Sequence, residues 1–251
     1  MSTDWAPLTE ELQIWARQGR TLPLWWRDDD AVSPSHDLDR LLRLSARLAL
    51  PVHLAIIPAK ATAALAQIDG YVPVVHGWSH HSHAGQNEKK AEFGDHRPMS
   101  ALVSDADLGL KRLGELFGAR LRPMFVPPWN RIAPTLLPQL PKLGYTSVST
   151  FTARKTRSPE AGLVQINTHV DPIDWRTSRG LARPDHLIHN VAAQLIERRT
   201  GHADPNEPFG VLTHHLVHSE EIWEWTEALL DRLLSTVAKT WVHPTPQENL
   251  P

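Results

Sequence analysis

The feature that most constrains this chain is a repeated alternation of short apolar runs, polar clusters and stretches with helical spacing. The apolar runs fall at 22–27, 52–57, 72–75, 122–126, 146–149, 163–167 and 210–213. They are brief and largely continuous rather than alternating, the pattern of parallel strands buried on both faces. Between them, apolar residues recur at helical intervals. Leu38, Leu41, Leu42, Leu48 and Ala49 form one stripe, and Leu187, Val191, Leu195 and Ile196 a second. Ile222, Trp225, Leu229, Leu230, Leu233 and Val237 form a third. Ser35 before the first stripe and Asp185 near the start of the second are suited to capping helix N-termini. Strand alternating with helix predicts an α/β fold around a parallel sheet, either a barrel or an open sheet.

Both arrangements place their sites at the carboxyl ends of the strands. The chemically rich segments of the chain fall there. WRDDDA follows the first run, HGWSH the third, PPWN the fourth, HVDPIDW the sixth and THH the last. Five clusters ending five strands would face one rim, which a random scatter of polar residues would not do.

Composition narrows the reading further. The 251 residues contain no repeat, low-complexity stretch or linker, so residues 1–251 read as a single domain. Its core spans about 22–235, with a short N-terminal helix and a C-terminal tail. A net charge of −2 gives no electrostatic case for nucleic acid or an acidic membrane. The longest apolar stretch, 48–59, is interrupted by Pro51, His53 and Pro58 and is too short to span a bilayer. MSTDWAPLTEELQIW lacks a basic segment followed by an apolar core, so a cytoplasmic location is expected. The absence of cysteine excludes disulfides and thiolate metal sites. Imidazole is the abundant alternative: there are 15 histidines, and ten tryptophans outnumber five phenylalanines.

The histidines concentrate in VVHGWSHHSHAG. His76 and His80 lie four apart, a spacing at which two imidazoles can share one cation. Gly77 occupies the position where an HExxH motif carries glutamate, so the third ligand must come from elsewhere. Asp28, Asp29 and Asp30 supply candidates. Three adjacent carboxylates at the end of an apolar strand repel one another unless a positive group sits among them. One aspartate and two histidines form a suitable ligand set for zinc, and a second aspartate outside it can serve as general base. GVLTHHLVH adds His214, His215 and His218 after the last run, one of which can act as an acid. In FVPPWN, Pro127 and Pro128 stiffen the chain and present backbone N–H groups suited to an oxyanion.

These segments together resemble the polysaccharide deacetylase (NodB-homology) family. Its ordered motifs appear here as RDDDA, HGWSH, FVPPWN, DPIDW and LTH, across about 22–234. The resemblance implies a distorted (β/α)7-type barrel and a metal-dependent hydrolase that removes acyl groups from N-acetylated sugars. It makes His76 and His80 metal ligands together with one aspartate, zinc being the expected ion. If Arg27 aligns with the arginine of divergent relatives that read R-x-D-D, Asp29 is the base and Asp30 the ligand. Shifted by one residue, Asp28 is the base and Asp29 the ligand; the first register is preferred. His214 would be the acid, with His215 its neighbour in register. Trp175 would wall the pocket, Asp174 would steady the acid histidine or a neighbour, and Pro128 and Trp129 would border the oxyanion.

Two residues depart from the family pattern. Val126 stands where an arginine normally braces the base, leaving Arg27, Arg122 and Arg131 as possible substitutes. Gly77 replaces a hydroxyl residue. The expected partner is a small-molecule or glycan substrate, with neither nucleic acid nor membrane. The alternatives are a hydrolase of a non-sugar, non-peptide C–N bond on the same fold, a silent glycan-binding relative and an iron(II) oxygenase.

Overall fold

A computed structural model describes residues 3–245. Eight parallel-paired strands are β1 (Leu22–Ala31), β2 (Val52–Ile56), β3 (Tyr71–His76), β4 (Met124–Val126), β5 (Ser147–Val148), β6 (Val164–Gln165), β7 (Phe209–Thr213) and β8 (Ala238–Thr240). The helices are α1 (Ala6–Arg17), α2 (His36–Leu48), α3 (Met99–Phe117), α4 (Leu140–Leu143), α5 (Pro184–Thr200) and α6 (Glu220–Leu234). The main sheet runs β6-β5-β4-β3-β2-β1-β7, and β8 pairs with the start of β1. Segment 166–170 carries the curl onward. Ile166 and Thr168 donate to Val148 and Thr150 on one side, and His169 donates to Gly210 on the other. The result is the expected distorted seven-stranded barrel wrapped by helices.

Each expected strand is present, but the boundaries move. The greatest change is in β1, which continues through all three aspartates to Ala31 instead of ending at Arg27. Its pairing with β2 becomes irregular between Asp28 and Ala31. The Ser35 side chain accepts from the Leu38 N–H at 3.0 Å and caps α2 as expected. Asp185 lies in the first turn of α5, where Arg183 holds the cap position. No helix among the described residues is long and apolar enough to cross a membrane.

Alternation along β1 places Trp25 inside the barrel and Trp26 in the layer beneath the helices. Inside, Trp25 packs with Ala55, Val74, Met124, Val126 and Ile166. Gly210 makes that possible, because a Cβ there would meet Trp25 Nε1 at 2.5 Å. The floor is closed by β8 and the residues after it. Trp241 donates to Leu24 O at 2.7 Å and packs edge-on against Trp25 and flat on His53. His53 Nδ1 faces Trp26 O at 3.1 Å, and its Nε2 accepts from the His243 N–H at 2.9 Å. That pattern requires a neutral imidazole, and burial pushes the His53 ring down to about 3. His243, buried and 2.8 Å from Ser147 Oγ, is pushed down by burial to about 4.

Candidate functional site

At the opposite end of the barrel, the three aspartates enter three different environments. Arg27 and Asp29 share one side of β1, while Asp28 points to the other. Asp30 adopts a left-handed backbone, with φ of 74°, which breaks the alternation and turns its carboxylate towards β3.

Asp30 Oδ1 lies 3.1 Å from both His76 Nε2 and His80 Nε2. The three ligand atoms fall within 4.8 Å of one another. His76 ends β3, and its Nδ1 faces Val126 O at 3.0 Å. A carbonyl only accepts, so Nδ1 carries a proton and Nε2 is the nitrogen directed at the carboxylate. Two imidazole nitrogens around one carboxylate oxygen need a proton or a cation between them. The set of two nitrogens and one oxygen, with one ring oriented by a backbone carbonyl, fits zinc or a similar divalent transition metal. Burial opposes ionisation of Asp30, but the His76 hydrogen bond and nearby His76, His80 and His214 outweigh it. Its carboxyl is held well below the usual range. Burial likewise opposes charge on His76, where Asp29 and Asp30 reverse the balance and raise it. On His80, burial and His76 prevail and lower it.

A buried carboxylate with no recognisable sequence signal shapes the turn between these histidines. Glu92 accepts from Ser79 N and Oγ at 2.7 and 2.8 Å, and from Trp78 N and His80 N at 3.2 Å each. Gly77 has φ of 55°, and a Cβ there would lie 2.4 Å from Glu92 Oε2 and 2.5 Å from Pro128 Cδ. The departure from a hydroxyl residue is thereby explained: the turn has no room for one. His80 itself has φ of 56°. Its ring centroid lies 4.3 Å from that of Trp129. Trp129 and Asn130 are also left-handed, at 57° and 55°. The hydrogen bonds closing this turn run from Asn130 to Pro127 and from Arg131 to Pro128, and do not use the Trp129 N–H.

Asp29 is gripped by Arg27 through two parallel hydrogen bonds, Nε to Oδ1 at 2.8 Å and Nη2 to Oδ2 at 2.9 Å. The guanidinium is fully buried and also donates to Ser149 Oγ and Asn130 Oδ1, both at 2.7 Å. Of the three arginines considered in place of Val126, Arg27 is therefore the one that grips Asp29. Arg122 instead serves the carbonyls of Ala119, Arg120 and His243, and Arg131 that of Lys90.

Asp28 is fully buried on the other face and bonds to the loop after β7. It accepts from Thr213 Oγ at 2.6 Å and His215 N at 3.0 Å, and meets His215 Nδ1 at 2.5 Å. Burial opposes its charge, but His215 and Thr213 hold its carboxyl below the ordinary value. His215 is raised, because Asp28 overcomes the effect of burial. Asp28 and His215, left uncertain in register by the sequence, thus form a buried pair with each other.

His214 lies between these anchors, its ring edge-to-face with that of Trp175 and the two centroids 4.7 Å apart. Trp175 is 44% exposed and donates from Nε1 to Asp171 Oδ2 at 2.8 Å. Burial raises the Asp171 carboxyl, with His214 nearby opposing the shift. Of the two aspartates in DPIDW, Asp171 is therefore the one close enough to His214 to feel its charge. Asp174 turns towards its own loop and accepts from Arg176 N, Thr177 N and Thr177 Oγ. DPIDW contains both residues, and spacing alone does not show which turns inward.

Solved structures share this architecture. A candidate polysaccharide deacetylase from Mycobacterium smegmatis is 15% identical, with a TM-score of 0.58 over 88% of this chain and 87% of that one. A family 4 carbohydrate esterase from Streptomyces lividans, in complex with acetate, is 16% identical, with a TM-score of 0.51 over 88% and 92%. A variant of the peptidoglycan deacetylase PdaC from Bacillus subtilis is 12% identical, with a TM-score of 0.51 over 88% and 87%. No family model and no curated protein matches the sequence. The chain has the polysaccharide deacetylase fold.

Proposed function

We propose that the protein is a divergent member of the polysaccharide deacetylase family, a metal-dependent amide hydrolase acting on an N-acetylated sugar or related glycan. The observation that carries this reading is the convergence of Asp30, His76 and His80 beside an aspartate held by arginine, within this fold. Asp30, His76 and His80 would hold the ion, zinc being the best match to the donor set. When bound, such an ion polarises an acyl carbonyl and makes water acidic near neutral pH.

The remaining work falls to the chain. Asp29, fixed by Arg27, accepts a proton from the attacking water. The Trp129 N–H donates to the oxygen that gains charge as the carbonyl becomes tetrahedral. His214 gives a proton to the departing nitrogen as the C–N bond breaks, yielding a carboxylic acid and an amine. Trp175 offers an exposed aromatic face of the kind that borders sugar rings, and Asp171 holds its indole N–H at the ring edge. Pro128 stiffens the turn that presents Trp129.

The test pairs metal analysis of the purified protein with acid and amine release from N-acetylated sugar oligomers, cyclic amides and ureido compounds. Bound divalent metal and turnover of the sugars are expected, both lost in His76→Ala. Wild-type turnover by a metal-free His76→Ala protein would overturn the reading. Turnover confined to the non-sugar compounds would move the substrate while keeping the chemistry.

A further inference from the structure

We propose that Asp28 and His215 act as a positioning couple that fixes His214 over the site. This rests on the proposed role of His214 as the acid. Three hydrogen bonds reach the Asp28 carboxylate, and all come from the two residues flanking His214. Thr213 Oγ also accepts from Trp26 Nε1 at 2.8 Å, which ties this clamp to β1 a second time. Asp28 and Thr213 are register partners in the β1–β7 pairing, so the carboxylate lies where strand gives way to loop.

The His214 ring is held by much less. Its Nδ1 is buried without a hydrogen-bond partner among the described residues, and its aromatic neighbour is the partly exposed Trp175. Its backbone N–H reaches His218 Nε2 only at 3.3 Å. The direction of the ring is therefore set chiefly by the backbone on either side, which Asp28 grips. A buried ionic pair is a poor source of stability, since an apolar pair of similar volume often serves as well. What the Asp28–His215 pair supplies is a defined geometry for the residue between its attachment points. Its location on the strand that carries Asp29 and Asp30 ties the acid to the base and the ligand through one rigid element.

The experiment compares His215→Phe, which fills the space without a donor, with His215→Asn, whose amide can still donate to Asp28. In the Phe variant kcat should fall about 100-fold, the scale of a displacement near 1 Å. Metal content should be retained and KM should change by less than about twofold. The Asn variant should recover at least about tenfold of the lost kcat. The His214 ring resonance, assigned by its loss in His214→Gln, lies beside the Trp175 ring. It should move in the Phe variant and return towards its original position in the Asn variant. An unmoved resonance in folded His215→Phe, an unchanged kcat, or loss of metal with kcat would overturn the proposal. If His215→Phe does not fold, Thr213→Val decides by the same resonance, which must again move. Should no tested amide be hydrolysed by the wild type, the resonance still tests the couple, and it is the assigned activity that fails.

Discussion

The two ends of the barrel both bury histidines at strand ends, yet they treat them in opposite ways. At the floor, His53 and His243 meet a backbone carbonyl, a serine and each other, and burial holds both rings neutral. At the rim, His76 faces Asp30 and His215 faces Asp28, and the carboxylates reverse the effect of burial. The backbone differs as well. Asp30, Gly77, His80, Trp129 and Asn130 all have positive φ, whereas Trp25, His53, Trp241 and His243 do not. Such conformations cost about 1–3 kcal/mol each at non-glycine residues and persist where the surroundings enforce them. Among these four histidines the direction follows whether a carboxylate faces the ring, whereas at His80 and His169 burial prevails although Asp30 and Glu207 lie close.

The largest expected effect lies at the rim. Asp29→Asn should lower kcat by about 10²- to 10⁴-fold with metal retained, as measured by steady-state rates and metal analysis. A comparable loss from His53→Gln at constant folded fraction would break the contrast between the two ends. Next in size is Arg27→Met, which leaves Asp29 buried and unpaired. Chemical unfolding should show a loss of about 3–5 kcal/mol. Glu92→Gln keeps the shape but can no longer accept all four hydrogen bonds from the turn. Competition with a chelator should show metal affinity weakened about 10- to 100-fold.

The floor yields a smaller, pH-dependent effect. The folded values of His53 and His243, about 3 and about 4, lie below the value near 6.5 of an exposed imidazole. The unfolded chain therefore binds more protons as pH falls. Their contribution is full above about pH 6.5 and declines towards pH 4. Buried His169 and half-buried His218, each lowered to about 4, add to the same slope. Thermal melts between pH 7 and 4 should show Tm falling with acid, and His53→Gln should flatten only part of that slope. The smallest effect on turnover is expected from Asp174→Ala, whose carboxylate serves its own turn. A loss matching that of Asp171→Asn would return Asp174 to the site.

Much of this contrast is legible in the amino-acid sequence. Continuous apolar runs gave the strands, and polar residues after them gave the rim. The Arg27–Asp29 pair was accessible in principle, because residues two apart on a strand share a side. A strand that ends at Arg27 leaves the aspartates as loop, so Arg27 stands only as one of three candidate partners until β1 is extended. Asp30 could not be placed by alternation, since its backbone reverses there. Glu92 lies in a polar stretch without strand or helix periodicity, and its role depends on a turn far back in the chain. β8 escapes because it is a short, mostly exposed strand defined by its pairing with β1 and carries no apolar run of its own. Asp171 and Asp174 differ only in how their loop turns, which no spacing encodes.

The pairing of β8 with the start of β1 also has a consequence for synthesis. β1 leaves the ribosome early, yet three of its neighbours in the fold arrive at different times: β2 soon after, β7 and β8 only near the end. Until they do, Trp25 and His53 lack Trp241 beneath them, and Asp28 lacks the loop that it anchors. Such distant pairings make closure a late event, paid in loop entropy before any contact returns it. A nascent chain halted before Ala238 should therefore expose the barrel interior, the kind of surface on which a chaperone would act.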